Sequence, residues 1–189
     1  MLNTKFFNWL KQKHFSWENE RRQIISRSND ILHTSKRVIF ALHRDDRERA
    51  LLLLKGAEKS LQALQKKFGS KRLEMEGAYK AALEEFVEAA MFWRVIEGKK
   101  LNRLSGLQIS YDSYLAGISD LTGEIMRRII NKAARRQTVE VERLIQLLQT
   151  IMTQLVEFDM TGYLRTKYDQ ARSSLRKAEQ IYYELKIRE

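Results

Sequence analysis

Apolar positions in this chain recur at three- and four-residue spacings almost from end to end, the repeat that gathers side chains on one face of an α-helix. No segment alternates apolar and polar residues long enough to read as a strand. Glycines and polar clusters punctuate the pattern and predict where helices stop. The first helix runs from about Thr4 to His43. Asp45 and Glu48 read as a capping box for a second helix that ends near Phe68. Gly69 and Ser70 precede a third, which the pattern carries unbroken to about Ile96, and a loop holding Gly98 and Gly106 follows. Further helices are predicted over about Ser110 to Ala134 and Thr138 to Phe158, with Thr161 and Gly162 separating the last one. There is no proline, so no residue lacks a backbone donor for these ladders. The expectation is an all-α chain forming one domain over residues 1–189, an antiparallel bundle of about six to seven helices.

The last helix shows the repeat most cleanly. Leu164, Tyr168, Ala171, Leu175, Ala178, Tyr182 and Leu185 fall on one stripe, with Arg165, Lys167, Arg172, Arg176 and Lys177 on the other faces. Such a stripe serves core packing or self-association, and both hold together in an oligomer.

The third helix carries charge where its pattern forbids it. From Ala78 to Ile96 every residue is apolar or aromatic except Lys80, Glu84, Glu85, Glu88 and Arg94. A helix that is apolar nearly all round is largely buried, and carboxylates on it are costly unless paired, hydrogen-bonded or metal-bound. Glu85 and Glu88 are three apart and share a face. On the next helix Asp120 and Glu124 are four apart, in a row with Ser113 and Gly117, small residues that let another helix come close. Tyr114, Ile118, Leu121, Ile125 and Ile129 form a separate apolar stripe facing the core. Four carboxylates from two helices suit a hard cation, Mg²⁺ or Mn²⁺, better than zinc. Such an ion activates water and neutralises phosphate oxygens in phosphodiester hydrolysis, and a spare carboxylate helps deprotonate the water. The other reading is ion pairing with Arg94, Arg127 and Arg128. Spacing alone leaves both open.

Composition narrows the partners. With 43% hydrophobic and 31% charged residues, the chain is neither disordered nor membrane-embedded. No apolar run is long enough to span a bilayer. Residues 1–15 hold Phe6, Phe7, Trp9 and Leu10 among lysines but no continuous apolar stretch and no small-residue cleavage site, so no secretory signal is expected and the cytoplasm is the expected location. An amphipathic membrane-surface helix is the other reading there, and Glu18 and Glu20 directly after it argue against it. The absence of cysteine removes disulfides, thiolate metal sites and cysteine nucleophiles. His14, His33 and His43 have no zinc-binding spacing. The net charge of +11 points to a polyanion, nucleic acid ahead of membrane. On the first helix Arg21, Arg22, Arg27, Lys36, Arg37 and Arg44 are candidate phosphate contacts, or simply a solvated basic face. Trp9, Trp17 and Trp93 are candidates for base stacking, though core packing suits Trp93 better. His43 suits phosphate contact, capping or packing equally.

Several of these segments resemble one family. Ser35–Arg44 is similar to the end of the long first helix, Glu84–Ala89 to the acidic helix, and Asp112–Arg127 to the signature helix of the Trax (translin-associated factor X) branch of the translin family. Lys177–Arg188 is similar to the closing helix, and the resemblance covers about Ser28 to Arg188. It implies a helical bundle assembling into a hollow octamer, with a metal-dependent endoribonuclease site on the inner wall. The acidic residues it implies fall on Glu85, Glu88 and Asp120, with Glu124 as a further candidate. The nuclease-inactive translin branch has non-acidic residues at the first three positions, so the resemblance favours the catalytic branch. It implies Mg²⁺ or Mn²⁺ as cofactor and short RNA, single-stranded or small duplex, as partner. The rival it leaves is a non-catalytic module that holds RNA or single-stranded DNA. The loop after Gly98 is compact for the branch and no basic nuclear-localisation extension is evident; a homo-octamer is the expected assembly.

Overall fold

A computed structural model describes residues 2–187; Met1 and Arg188, which the sequence reading includes, lie outside the described residues. Seven helices and no strand occur among the described residues: α1 (Thr4–His43), α2 (Arg47–Phe68), α3 (Ser70–Leu73), α4 (Gly77–Ile96), α5 (Tyr111–Ala134), α6 (Thr138–Val156) and α7 (Gly162–Ile187). None of them is long and apolar enough to cross a membrane.

Two predicted boundaries are corrected. The cap of α2 is Asp46, whose side chain accepts the Arg49 N–H at 3.2 Å, not Asp45. Asp45 instead takes a left-handed conformation, φ 61°, which ends α1 and turns the chain. Asp tolerates that region better than most residues, and its carboxylate bonds Arg128. Glu48 stays in the first turn of α2, where a negative charge suits the helix dipole. The predicted third helix is two pieces, α3 and α4, parted at Glu76. The Glu76 backbone is extended, and its carboxylate, on a residue only 7% exposed, meets Arg72 at 2.8 Å and Arg21 at 3.5 Å. Pairing with these cations offsets the cost of burying the carboxylate, and here it coincides with the break in the helix.

The core has two connected lobes. Ile24 and Ile31 of α1 pack with Leu61 of α2, Leu73 of α3 and Leu83 and Phe86 of α4. The second lobe joins the end of α1 and the second half of α4 to α5, α6 and α7 through Leu42, Phe92, Leu121, Ile125, Leu144 and Leu148. The α7 stripe serves core packing: Ala171 and Ala178 are buried, and Leu164, Tyr168, Leu175, Tyr182 and Leu185 are half-buried against this lobe. Arg128 of α5 is buried and donates to the Leu42 carbonyl at 3.2 Å, tying α5 to the end of α1. The long loop is pinned by side chains. Gln65 donates to the Gln108 carbonyl at 2.7 Å and accepts the Gln108 N–H at 3.0 Å. The Tyr114 hydroxyl accepts the Leu104 N–H at 2.8 Å.

The start of α1 stands apart. From Thr4 to Ser16 every residue is exposed, including Phe6, Trp9, Leu10 and Phe15. This stretch spans about 20 Å at the helical rise.

Candidate acidic site between α4, α5 and α7

The site begins with a glycine. A Cβ added at Gly117 would lie 2.7 Å from the Glu84 carbonyl oxygen and 2.8 Å from Val87 Cβ. Only glycine lets α5 come this close to α4. The approach sets Asp120 and Glu124, one and two turns further along α5, beside Glu84, Glu85 and Glu88 of α4.

The charges of these groups act on one another. Glu88 is 8% exposed, and burial, followed by the negative charges of Glu85, Asp120 and Glu124, pushes its carboxyl up to about 9. Glu85 is raised first by burial and then by Asp120 and Glu124, with Lys36 and Lys167 pulling the other way. Burial also raises Glu84, against a hydrogen bond from Tyr163 and the charge of Lys167. The charge of Asp120 reaches Glu84, Glu85 and Glu88, and that of Glu124 reaches Glu85 and Glu88.

Two of the carboxylates are already held. Lys167 donates to Asp120, and His43 Nε2 contacts Glu124. The His43 side chain is buried, its ring lies 5.0 Å from that of Phe92, and its Nδ1 has no partner among the described residues. Of the arginines expected to pair here, only Arg127 reaches Glu124, at 3.7 Å. Arg94 instead donates to the Asn102 carbonyl at 2.6 Å, and Arg128 serves Leu42 and Asp45. Glu85 and Glu88 have no ion pair among the described residues. Burial works against the Lys167 ammonium, but its bonds and charge contacts with Asp120 and Tyr163 more than offset this, so its pKa is raised.

An all-oxygen donor set fits Mg²⁺ or Mn²⁺, and a buried Glu88 among like charges is what a cation would relieve. Among the described residues no three Asp, Glu or His side chains are already gathered into a metal-holding cluster. A metal therefore needs side-chain rearrangement, above all at Asp120 and Glu124.

The profile of the translin family matches residues 19–189. The chain belongs to the translin family. Among its relatives in that family, it is 26% identical to the Translin-associated protein X homolog of Schizosaccharomyces pombe, covering 96% of this chain and 88% of the relative. It is 29% identical to the Translin-associated protein X of Rattus norvegicus, covering 100% and 79%. Two solved structures share its fold: apo-NeC3PO, with a TM-score of 0.87, 21% identity and coverage of 98% of both chains, and the AfC3PO–duplex RNA complex, with 0.85, 21% and 96% of both. The resemblance to the Trax branch and the all-helical fold both stand.

In this translin-family chain the six basic candidates, five on α1 and Arg44 at its C-cap, are exposed but do not form one face. Lys36 stands where its charge acts on Glu85. Arg37 and Arg44 line a shallow groove of about 250 Å³ with Phe40 and Arg49. Arg21 is drawn to Glu18 and Glu76, at 3.8 and 3.5 Å. Arg22 is exposed, and Arg27 lies about 180° around the helix from Lys36 at 3.6 residues per turn. Trp9 stacks on Phe6 and Trp17 lies under the Arg72 guanidinium, while Trp93 packs against the core. Sequence reasoning missed the two α7 residues at the site, Tyr163 and Lys167. Their one signal is the four-residue spacing that puts both on one face of α7.

Proposed function

We propose that this chain is a subunit of a Mg²⁺- or Mn²⁺-dependent endoribonuclease that binds short RNA, single-stranded or small duplex, inside a hollow homo-octamer. The observation that carries the reading is the buried Glu88 beside Glu85, Asp120 and Glu124. Mutually repelling acids destabilise a bundle, and a divalent cation turns them into ligands. The names of its relatives and the duplex RNA in the AfC3PO complex support the substrate class. A net charge of +11 supports a polyanionic partner, and the exposed aromatic start of α1 supports assembly with further copies.

Glu85, Glu88, Asp120 and Glu124 would hold the ion. Once bound, it supplies an activated water and neutralises phosphoryl oxygens, a chemistry that leaves 5′-phosphate and 3′-hydroxyl ends. Glu88 retains a proton at neutral pH in the free site and yields it when a cation replaces that proton. His43 would orient Glu124 through their direct contact, and Lys36, whose charge acts on Glu85, would meet a backbone phosphate. The test is digestion of short RNA by the purified chain with Mg²⁺, with Mn²⁺ or with EDTA. Cleavage should require the ion, and Asp120→Asn should reduce it to background while sparing RNA binding. Full cleavage by that variant refutes the assignment.

One observation favours a second reading, an RNA- or single-stranded-DNA-holding module that cuts nothing: Asp120 and Glu124 already carry Lys167 and His43. RNA binding without ion-dependent cleavage identifies it.

A further inference from the structure

Lys167 comes from a helix the acidic pairs do not involve, yet it pairs directly with Asp120. Its α7 backbone is anchored one turn on by Ala171, which is 1% exposed against the core. The ammonium reaches Asp120 with 18% of its side chain exposed. On its own helix Tyr163 flanks it: the ammonium lies 5.4 Å from the ring centroid, and the Tyr163 hydroxyl donates to Glu84 at 2.7 Å. The ring face attracts the cation, and the hydroxyl fixes the ring by gripping α4. Lys167 is thus seated between three helices, not left to sample solvent. The other cations serve other members of the cluster: Lys36 acts on Glu85, and His43 and Arg127 act on Glu124. An ammonium and a divalent ion cannot share one carboxylate at contact distance without strong repulsion.

We propose that Lys167, steadied by Tyr163, is the resident counter-ion of Asp120, and that Mg²⁺ or Mn²⁺ binds only by displacing it, so that this lysine sets the ion concentration the site requires. The inference rests on the metal reading above. It makes Lys167 a built-in competitor of the metal, opposite in effect to a ligand or a structural prop.

The test is Mn²⁺ binding to the full chain without RNA, followed by calorimetry, for wild type, K167M, K167R and D120N, with helicity checked by circular dichroism. K167Q is the second neutral variant if methionine disturbs folding. The neutral variants should bind Mn²⁺ at least about tenfold more tightly than wild type, a modest share of the repulsion between close charges. K167R should stay close to wild type, and D120N should bind weakly. Unchanged or weaker Mn²⁺ binding by folded K167M or K167Q, with wild type binding and D120N not, overturns the inference and leaves the metal reading intact. Binding by the neutral variants alone supports it in full. No binding by any variant overturns the metal reading and this inference with it.

Discussion

Gly117→Ala should destabilise this protein although alanine is the better helix former. In an open helix position the exchange gains about 1 kcal/mol. At Gly117 the new methyl would meet the Glu84 carbonyl oxygen at 2.7 Å and Val87 Cβ at 2.8 Å. The oxygen belongs to the α4 backbone and cannot swing away, so α4 and α5 must part by several tenths of an ångström. Overpacking of this kind costs about 1–3 kcal/mol, which leaves a net loss of about 1 kcal/mol. At this chain length that lowers Tm by about 2–4 °C. Gly123 lies on the same helix, but its Cβ would meet only Ser174 Oγ, at 4.0 Å. Gly123→Ala should therefore gain up to about 1 kcal/mol, as propensity alone dictates. Thermal unfolding of both variants at matched protein concentration, read by far-UV circular dichroism, gives the comparison. If Gly117→Ala is stabilised as much as Gly123→Ala, the close approach of the two helices is refuted, and with it the spacing that brings the carboxylates together.

Glu88→Gln should be more stable than wild type in metal-free buffer near pH 8, by about 1–3 kcal/mol. The wild-type carboxyl ionises at about 9 when folded against an ordinary 4.5. Between these values the folded state holds the extra proton, so wild-type stability falls as pH rises. The advantage of the variant should accordingly be absent below pH 4.5, grow with pH and level off above 9; a gap that shrinks with rising pH in urea titrations would count against the buried-acid picture. Arg128→Ala should cost about 2–4 kcal/mol by denaturant unfolding, because it deletes a buried side chain with its bonds to Leu42 and Asp45. Asp45→Asn should cost much less, since Asp45 is 39% exposed on its side chain, and equal losses would show that the ion pair, not the burial, matters. If the chain self-assembles, replacing Phe6, Trp9 and Leu10 together with serine should lower the assembly seen by native mass spectrometry, and an unchanged assembly would free the start of α1 from any part in it.

The helices were legible because their determinants are local. Periodicity found α1, α5, α6 and α7, and the absence of proline removed competing breaks. That Ser113, Gly117, Asp120 and Glu124 share one face of α5 was legible as well, since three- and four-residue spacing is local, while their use, metal or ion pair, was left open by spacing alone. What stayed hidden depends on distant partners. Glu76 breaks the predicted third helix where its carboxylate meets Arg21, 55 positions earlier in the numbering, and no local signal announces that pairing. Lys167 sits among the basic residues of α7 and looks like solvated charge until tertiary packing lays it on Asp120, 47 residues away. The expected partners Arg94 and Arg128 were near in sequence but went elsewhere, to a loop carbonyl and to the end of α1.

The unsupported start of α1 has one more consequence. A helical stretch of about this length is marginal in water without neighbours to pack on. Its order is therefore linked by mass action to whatever covers it. In dilute solution the first turns should fray and exchange their amide protons quickly, and a partner that covers them should zip them shut, so that the fraction of helix in this protein would rise with the concentration of that partner.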